Sequence, residues 1–320
     1  MIKKKKNILI LGGGGFFGAN FTRRLLSEPN LDITIVDSFD PLLKSDERNL
    51  DAVKDKITLI KGDIRDENLL KKIIPGKDII FNLAGQTSHP VSLQNPALDA
   101  DINVSGALKV LLAVRDLNPG AVLVYASTST IMGKAKKDFI DEDHPENHLD
   151  IYSAHKGIAE KYHRIFANVY GLKTVSLRFA NLYGPYGKGD AAFGFFNYFI
   201  HLAKNNKPIT VYEDGNQLRN AMFVDDACDI LRLAAEKPEL YGGAYFAVHG
   251  DHHSVREIAE NIAGVFGSKV EFIPYPKERK NIEVDHQRIS GKRLYELTGW
   301  HPKYSLREGL KITKERSILS

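Results

Sequence analysis

The stretch Asn7-Ile8-Leu9-Ile10-Leu11-Gly12-Gly13-Gly14-Gly15-Phe16-Phe17-Gly18 decides the fold. Ile8 to Leu11 is a short, continuous apolar run of the kind that forms a strand buried on both faces. It leads directly into Gly12-x-x-Gly15-x-x-Gly18, and Phe16 to Leu26 then reads as a helix. Glycines at this spacing permit a tight turn and let backbone N–H groups approach a pyrophosphate at the helix N-terminus. Asp37 ends the next apolar run, Ile33 to Val36, 19 residues after Gly18. A carboxylate there accepts hydrogen bonds from ribose hydroxyls and repels a 2′-phosphate, so the pattern predicts NAD rather than NADP. Asp63 follows a third run, Ile57 to Ile60, where it reads either as a contact to the adenine edge or as part of a common Gly-Asp turn.

Outward from the loop, strands and helices keep alternating. Asp78 to Asn82, Ala121 to Ala126 and Lys173 to Arg178 read as strands, with helices over Ala97 to Asp116 and Tyr152 to Tyr170. This rhythm predicts an α/β fold: a doubly wound parallel sheet of the Rossmann type. After about residue 185 the rhythm is lost. Asn181 to Asp190 reads as a loop, Phe193 to Ile200 as a helix and Ile209 to Tyr212 as a short strand. At about 150 residues per domain, the 320 residues suggest roughly two domains. The expectation is a cofactor-binding domain over 1–180 and a smaller α/β substrate-binding region over 181–320, with some segments returning to the first.

Composition narrows the classes. At 43% hydrophobic and 26% charged residues the chain is that of a globular protein, not a disordered one. A net charge of +4 does not suit a nucleic-acid binder, and the run Lys3–Lys6 reads as a solvated flank. No run of about 20 apolar residues predicts a membrane span. The single Cys228 excludes a disulfide framework or a cysteine-based zinc site and fits a reducing cytoplasm.

Tyr152-Ser153-Ala154-His155-Lys156 places a phenol and an ammonium four residues apart, on one helix face. A tyrosine has a reference pKa near 10, and a base working near neutrality needs that lowered by about 2–3 pH units. A neighbouring Lys⁺ and the positive nicotinamide ring are the expected source. Ser127-Thr128-Ser129-Thr130 follows the fifth strand, at the strand C-termini where such sheets bind ligands.

Together these residues resemble the extended short-chain dehydrogenase/reductase family, in its nucleotide-sugar epimerase/dehydratase group. The likeness spans nearly the whole chain. It includes Asn82-Leu83-Ala84-Gly85, Asn103-Val104-Ser105-Gly106, Arg178-Phe179-Ala180-Asn181-Leu182-Tyr183-Gly184-Pro185, Gly215-Asn216-Gln217-Leu218-Arg219 with Val224-Asp225-Asp226, and Leu297 to Pro302 with Ser305 to Leu310. The resemblance implies that Tyr152 is the base, that Lys156 holds the nicotinamide ribose, and that Thr128 bonds the reacting oxygen. It places NAD on Gly12, Gly15, Phe16, Phe17, Gly18, Asp37, Asp63, Ile64, Leu83, Ala84, Gly85, Asn103, Tyr152 and Lys156. A nucleotide sugar falls to Gln86, Thr87, His89, Thr128, Ser129, Asn181 and Arg219, with Asn181 and Arg219 toward the diphosphate.

Departures from the family pattern narrow the reaction. Dehydratases of the group follow the active-site Thr with Asp-Glu, and related decarboxylases place Glu two residues after it; here Ser129 and Thr130 stand there. Ile131-Met132-Gly133 replaces the usual VYG, and Ala180 precedes Asn181. The expectation is an epimerase acting at C4 of a UDP-sugar. The alternatives are a 4-ketoreductase, an epimerase of a CDP- or GDP-sugar (which Gln86-Thr87-Ser88-His89 also resembles), and a non-catalytic NAD- or sugar-sensing protein. No metal is expected at His144, His148, His252, His253 or Asp141 to Asp143. The resemblance also implies a homodimer paired through the helices that begin near Ala97 and Tyr152.

Overall fold

A computed structural model describes residues 5–274 and 287–318. Lys3 and Lys4 of the basic run lie outside the described residues, while Lys6 pairs with Glu236 at 2.8 Å. The strands are β1 (Lys6–Leu11), β2 (Leu31–Asp37), β3 (Thr58–Lys61), β4 (Ile79–Asn82), β5 (Val122–Thr128), β6 (Lys173–Phe179), β7 (Asn181–Tyr183), β8 (Ile209–Tyr212), β9 (Leu218–Phe223), β10 (Ala244–Ala247), β11 (His252–Ser254) and β12 (Val270–Ile273). Seven of them form one parallel sheet in the order β10-β6-β5-β4-β1-β2-β3. Ile8 of β1 is in register with Ile33 on one side and Ile79 on the other. Strand order therefore reverses between β1 and β4, the switch point at which ligands bind beyond the strand C-termini.

The chain falls into two compact units. The first runs to Thr128 and includes Asp150–Arg178 and Cys228–Tyr245; the second comprises Ser129–Leu149, Phe179–Ala227 and the chain from Phe246 on.

In the first unit the helices α1 (Phe16–Leu25), α2 (Glu67–Ile73), α3 (His89–Gln94), α4 (Pro96–Ala100), α5 (Ala107–Leu117) and α6 (Ile151–Tyr170) connect the strands. One core packs Leu9, Leu11, Val36, Ile80 and Leu123 of the strands against Leu70, Val110, Leu111 and Val114 of the helices. The sequence predicts a single helix from Ala97 to Asp116; the structure breaks it. Between α4 and α5 the segment Asp101–Gly106 winds as a wide π-helical turn, a feature that often marks functional sites. Gly106 packs closely there: a Cβ on it would lie 2.8 Å from Ile64 Cδ1.

The second unit holds a three-stranded sheet, β11-β9-β7, and a pair, β12-β8. The expected loop after residue 180 thus begins with a strand, β7, whose Asn181–Tyr183 pair with Ala221–Phe223 of β9. Tyr183 stacks on Phe196 at 4.4 Å and donates to the Leu306 carbonyl at 3.0 Å. Helices α7 (Phe195–Lys204), α8 (Val224–Ala234), α9 (Val255–Phe266), α10 (Lys292–Thr298) and α11 (Leu306–Ile318) complete the chain. Asp226 at the start of α8 accepts from the backbone of Lys303 and Tyr304, so the acidic pair of the Val224-Asp225-Asp226 motif pins the C-terminal tail. Cys228 on the same helix is fully buried. Among the described residues no helix is long and apolar enough to cross a membrane.

Candidate active site

The glycine loop is shaped by close approaches. Gly12 adopts φ +83°, and a Cβ on it would lie 2.7 Å from Ala84 N, which brings the Leu83–Ala84 backbone against the loop. A Cβ on Gly18 would lie 2.3 Å from the Gly12 carbonyl, so helix α1 starts hard against the turn. Gly15, which caps α1, differs: its φ is −74° and a Cβ would meet only the Gly12 carbonyl, at 3.5 Å. Among the described residues nothing crowds that position, so the space before the first turn of α1 stays open. Open space at a helix N-terminus fits a pyrophosphate. Phe16 and Phe17 stand half-buried at the start of the helix.

Asp37 is buried, and its carboxylate accepts from Gly14 N at 2.8 Å, Phe39 N at 2.9 Å and Ser45 Oγ at 2.8 Å. It is thereby fixed at the end of β2, beside the loop. Asp63 is engaged by Arg65 through Nε at 3.0 Å and Nη2 at 2.6 Å. Burial raises the Asp63 carboxyl, but Arg65 outweighs it and holds the group below the usual range. Ile64 sends its side chain into the core, which leaves its backbone as the part able to meet a ligand. Gly85 has Asn103 Oδ1 where its Cβ would be, at 2.7 Å. Asn103, on the wide turn, donates to Gln86 O at 2.9 Å, and its buried Oδ1 has no donor among the described residues. The glycine cradle, the fixed Asp37 and this orphaned oxygen fit NAD.

Thr128, Tyr152 and Lys156 come together in the first unit. Tyr152 lies in the first turn of α6, which Asp150 caps by accepting from Ser153 N at 2.8 Å. The phenol is buried and hydrogen-bonds the Thr128 side chain. Lys156, one turn on, donates to the Ala126 carbonyl at 2.7 Å and lies 4.1 Å over the Tyr125 ring. Without a cofactor, burial acts on the protons of both groups. Burial raises Tyr152 well above its ordinary value; the Thr128 hydrogen bond opposes this, and Asp99 and Asp150 add to it. Burial pulls Lys156 down to about 7, against Glu160 and Asp99, which support its charge. The reason is desolvation, which disfavours whichever form is charged.

Sequence reasoning missed the groups around this pair. Asp99 on α4 is fully buried; it contacts His155 Nδ1 at 2.7 Å and accepts from Gln86 Nε2 at 2.6 Å. Gln86, an expected sugar contact, is itself fully buried and directs its amide to Asp99 and Ser88. Glu160 on α6 accepts from Ser127 Oγ at 2.7 Å and from Arg178 Nε at 3.0 Å, a buried cluster behind Thr128. Thr87 is exposed, and His89 is half-exposed with its Nδ1 on the Asp150 carboxylate.

In the second unit, Asn181 of β7 is in register with Ala221 of β9, and Arg219 is two residues before Ala221. Side chains alternate along strands, so Asn181 and Arg219 share one sheet face. Asn181 Nδ2 donates to Asn220 O at 2.9 Å and Arg219 Nη1 to Leu218 O at 2.9 Å. Ser129, first residue of its segment, is buried. His144 and His252 are held by backbone: Lys136 N donates to His144 Nε2 at 2.9 Å, and Ile289 N to His252 Nε2 at 2.8 Å. Among the described residues no three His, Cys, Asp or Glu side chains gather as a metal would need.

A model of the NAD dependent epimerase/dehydratase family matches residues 8–245. CDP-paratose 2-epimerase of Salmonella typhi is 28% identical over 334 aligned residues, 95% of this chain and 97% of that one. UDP-glucose 4-epimerase of Thermotoga maritima, solved with UDP-glucose, superposes with a TM-score of 0.87 at 26% identity, over 98% of this chain and 100% of that one. The Thermus thermophilus UDP-glucose 4-epimerase complex with NAD gives 0.85 at 27% identity, over 98% and 99%.

Proposed function

Since the chain belongs to the NAD-dependent epimerase/dehydratase family, we propose that it is an epimerase acting at C4 of a UDP-sugar through a transient 4-keto sugar. The observation that carries this reading is the assembled Thr128–Tyr152–Lys156 group with hydroxyl residues, Ser129 and Thr130, where acids would drive elimination. Bound NAD supplies a hydride acceptor that becomes the donor for the return step. Tyr152 takes the proton of the C4 hydroxyl and later restores it. Thr128 holds the phenol and the reacting oxygen together. Lys156 steadies the site through Ala126 and, when charged, favours the tyrosinate; positive charge arriving beside the buried phenol is what lowers it. Asn181 and Arg219 take the diphosphate, for which a charge-assisted arginine contact is suited.

The test is a panel of UDP-, CDP-, GDP- and dTDP-sugars incubated without added cofactor. A new C4 epimer of a UDP-sugar is expected. Tyr152→Phe should slow it by about 10²–10⁴-fold while NAD binding, read by fluorescence, persists. Near-full turnover by that variant would sink the mechanism. The likeness to CDP-paratose 2-epimerase favours a second reading, an epimerase of a CDP-sugar, which the same panel separates. Stoichiometric use of NADH would indicate a ketoreductase instead.

We also infer a homodimer through α5 and α6. Ile158, Ile165 and Val169, at 37%, 47% and 66% exposure, line one face of α6 at helical spacing. Sedimentation at the mass of one chain would exclude it.

A further inference from the structure

Beside Tyr152 stands a second group with the build of an acid–base catalyst. The His89 ring meets the Tyr152 ring edge-on, with centroids 4.8 Å apart and planes at 70°. Its Nδ1 is tied to the Asp150 carboxylate, which is also fixed by capping α6. Burial raises the Asp150 carboxyl, but the His89 contact and Ser153 hold it below the usual range, so it stays an anion facing the imidazole. A carboxylate on Nδ1 fixes the ring's orientation and favours the tautomer with its proton there, which leaves Nε2 to accept a proton. The His89 side chain keeps 42% of its exposure, against 18% for Asp150, so the ring is more open than its anchor.

The Tyr152 step defines what such a base would meet. Oxidation at C4 creates a ketone, and the C–H bonds on the carbons next to a ketone are acidic. The groups at hand here are Asp150, Tyr152 and Thr128, and Asp99 acts on Tyr152 from α4. Beside them, His89 brings a second ring nitrogen, Nε2, on a side chain that is 42% exposed.

We propose that the His89–Asp150 pair is a second acid–base centre, which removes and returns a proton at a carbon adjacent to C4 of the keto sugar. The C–H bond breaks, its proton moves to His89 Nε2, and its electron pair forms the C=C bond of an enolate whose oxygen is held by Thr128 and Tyr152. Reprotonation by His89 regenerates the ketone, so no oxidant or reductant is needed. Return to the original face exchanges the hydrogen; return to the other face inverts that carbon. The inference rests on the 4-keto sugar of the proposed function.

Turnover in D₂O tests it. The hydrogen at C4 travels as hydride and stays protium, whereas a carbon served by His89 gains deuterium. Mass spectrometry and proton NMR of the sugar are expected to show deuterium next to C4. In His89→Gln the ratio of deuterium gained to C4 epimer formed should fall at least tenfold. Asp150→Asn, which keeps the helix cap, should lower it in the same direction. A C4 epimer formed with no carbon-bound deuterium would overturn the second centre and leave the proposed function standing. Undiminished deuterium in His89→Gln would also overturn it. No epimer and no deuterium across the panel would overturn the proposed function and this inference together. Deuterium without a C4 epimer would support His89 and move the net reaction to the neighbouring carbon.

Discussion

Burial acts on Lys156 and Tyr152 with opposite consequences for their protons. Burial pulls Lys156 down to about 7 in the folded chain, from the 10.5 of an exposed lysine. Between those values the unfolded chain binds more protons, so this residue makes the cofactor-free protein more stable as pH rises from 7. Lys156→Met removes the effect. The melting temperature of the wild type minus that of the variant should therefore increase from pH 7 to 9, and a flat difference would show that Lys156 stays charged. Arg219 belongs to the other chemistry. Arg219→Ala should raise KM for the nucleotide sugar about 10–100-fold, as expected for a charge-assisted contact of about 1.5–3 kcal/mol, with a smaller change in kcat. Asp37, Tyr152 and Lys156 were legible in the sequence because each sits at a fixed distance from a motif. Asp99 and Glu160 were not, because their partners come from elements far along the chain: Asp99 reaches His155, and Glu160 reaches Arg178. No local periodicity announces a pair made by folding.

At the scale of elements, the β1–α1 turn carries two kinds of glycine. Gly18→Ala drives a Cβ into the Gly12 carbonyl at 2.3 Å and should lower both melting temperature and NAD affinity. Gly15→Ala meets nothing closer than 3.5 Å, so it should keep the cofactor-free melting temperature while weakening NAD binding. Titration calorimetry beside thermal melts separates the two, and intact NAD affinity in Gly15→Ala would refute the pyrophosphate placement. Helix α6 depends on the buried cluster behind it. Glu160→Gln leaves the Arg178 guanidinium buried without its anion, a change that costs about 3–5 kcal/mol, readable as a lower urea midpoint. The sequence read α6 well, because its apolar spacing and its Tyr–Lys pair agree. It read α4 and α5 as one helix, since a wide turn keeps helical composition and changes only the hydrogen-bond register.

For the whole molecule, the strands β1 to β6 were visible as apolar runs, and the doubly wound sheet follows from their alternation. β10 was hidden, since Ala244–Ala247 is four residues long and joins the sheet edge from far along the chain. The second unit was least legible: β7, β9 and β11 have three to six residues each, too few to show a period. The positive excess of +4 identifies no partner, and Lys6 of the basic run pairs with Glu236.

Cys228 is the chain's only thiol, and it is shut inside the fold on α8. A thiol reagent therefore has one place to react and reaches it only when the packing around that helix opens. The rate of modification becomes a single-site clock for breathing of the native protein, with no engineered label required. Slower modification in the presence of NAD would measure directly how far the cofactor tightens the fold.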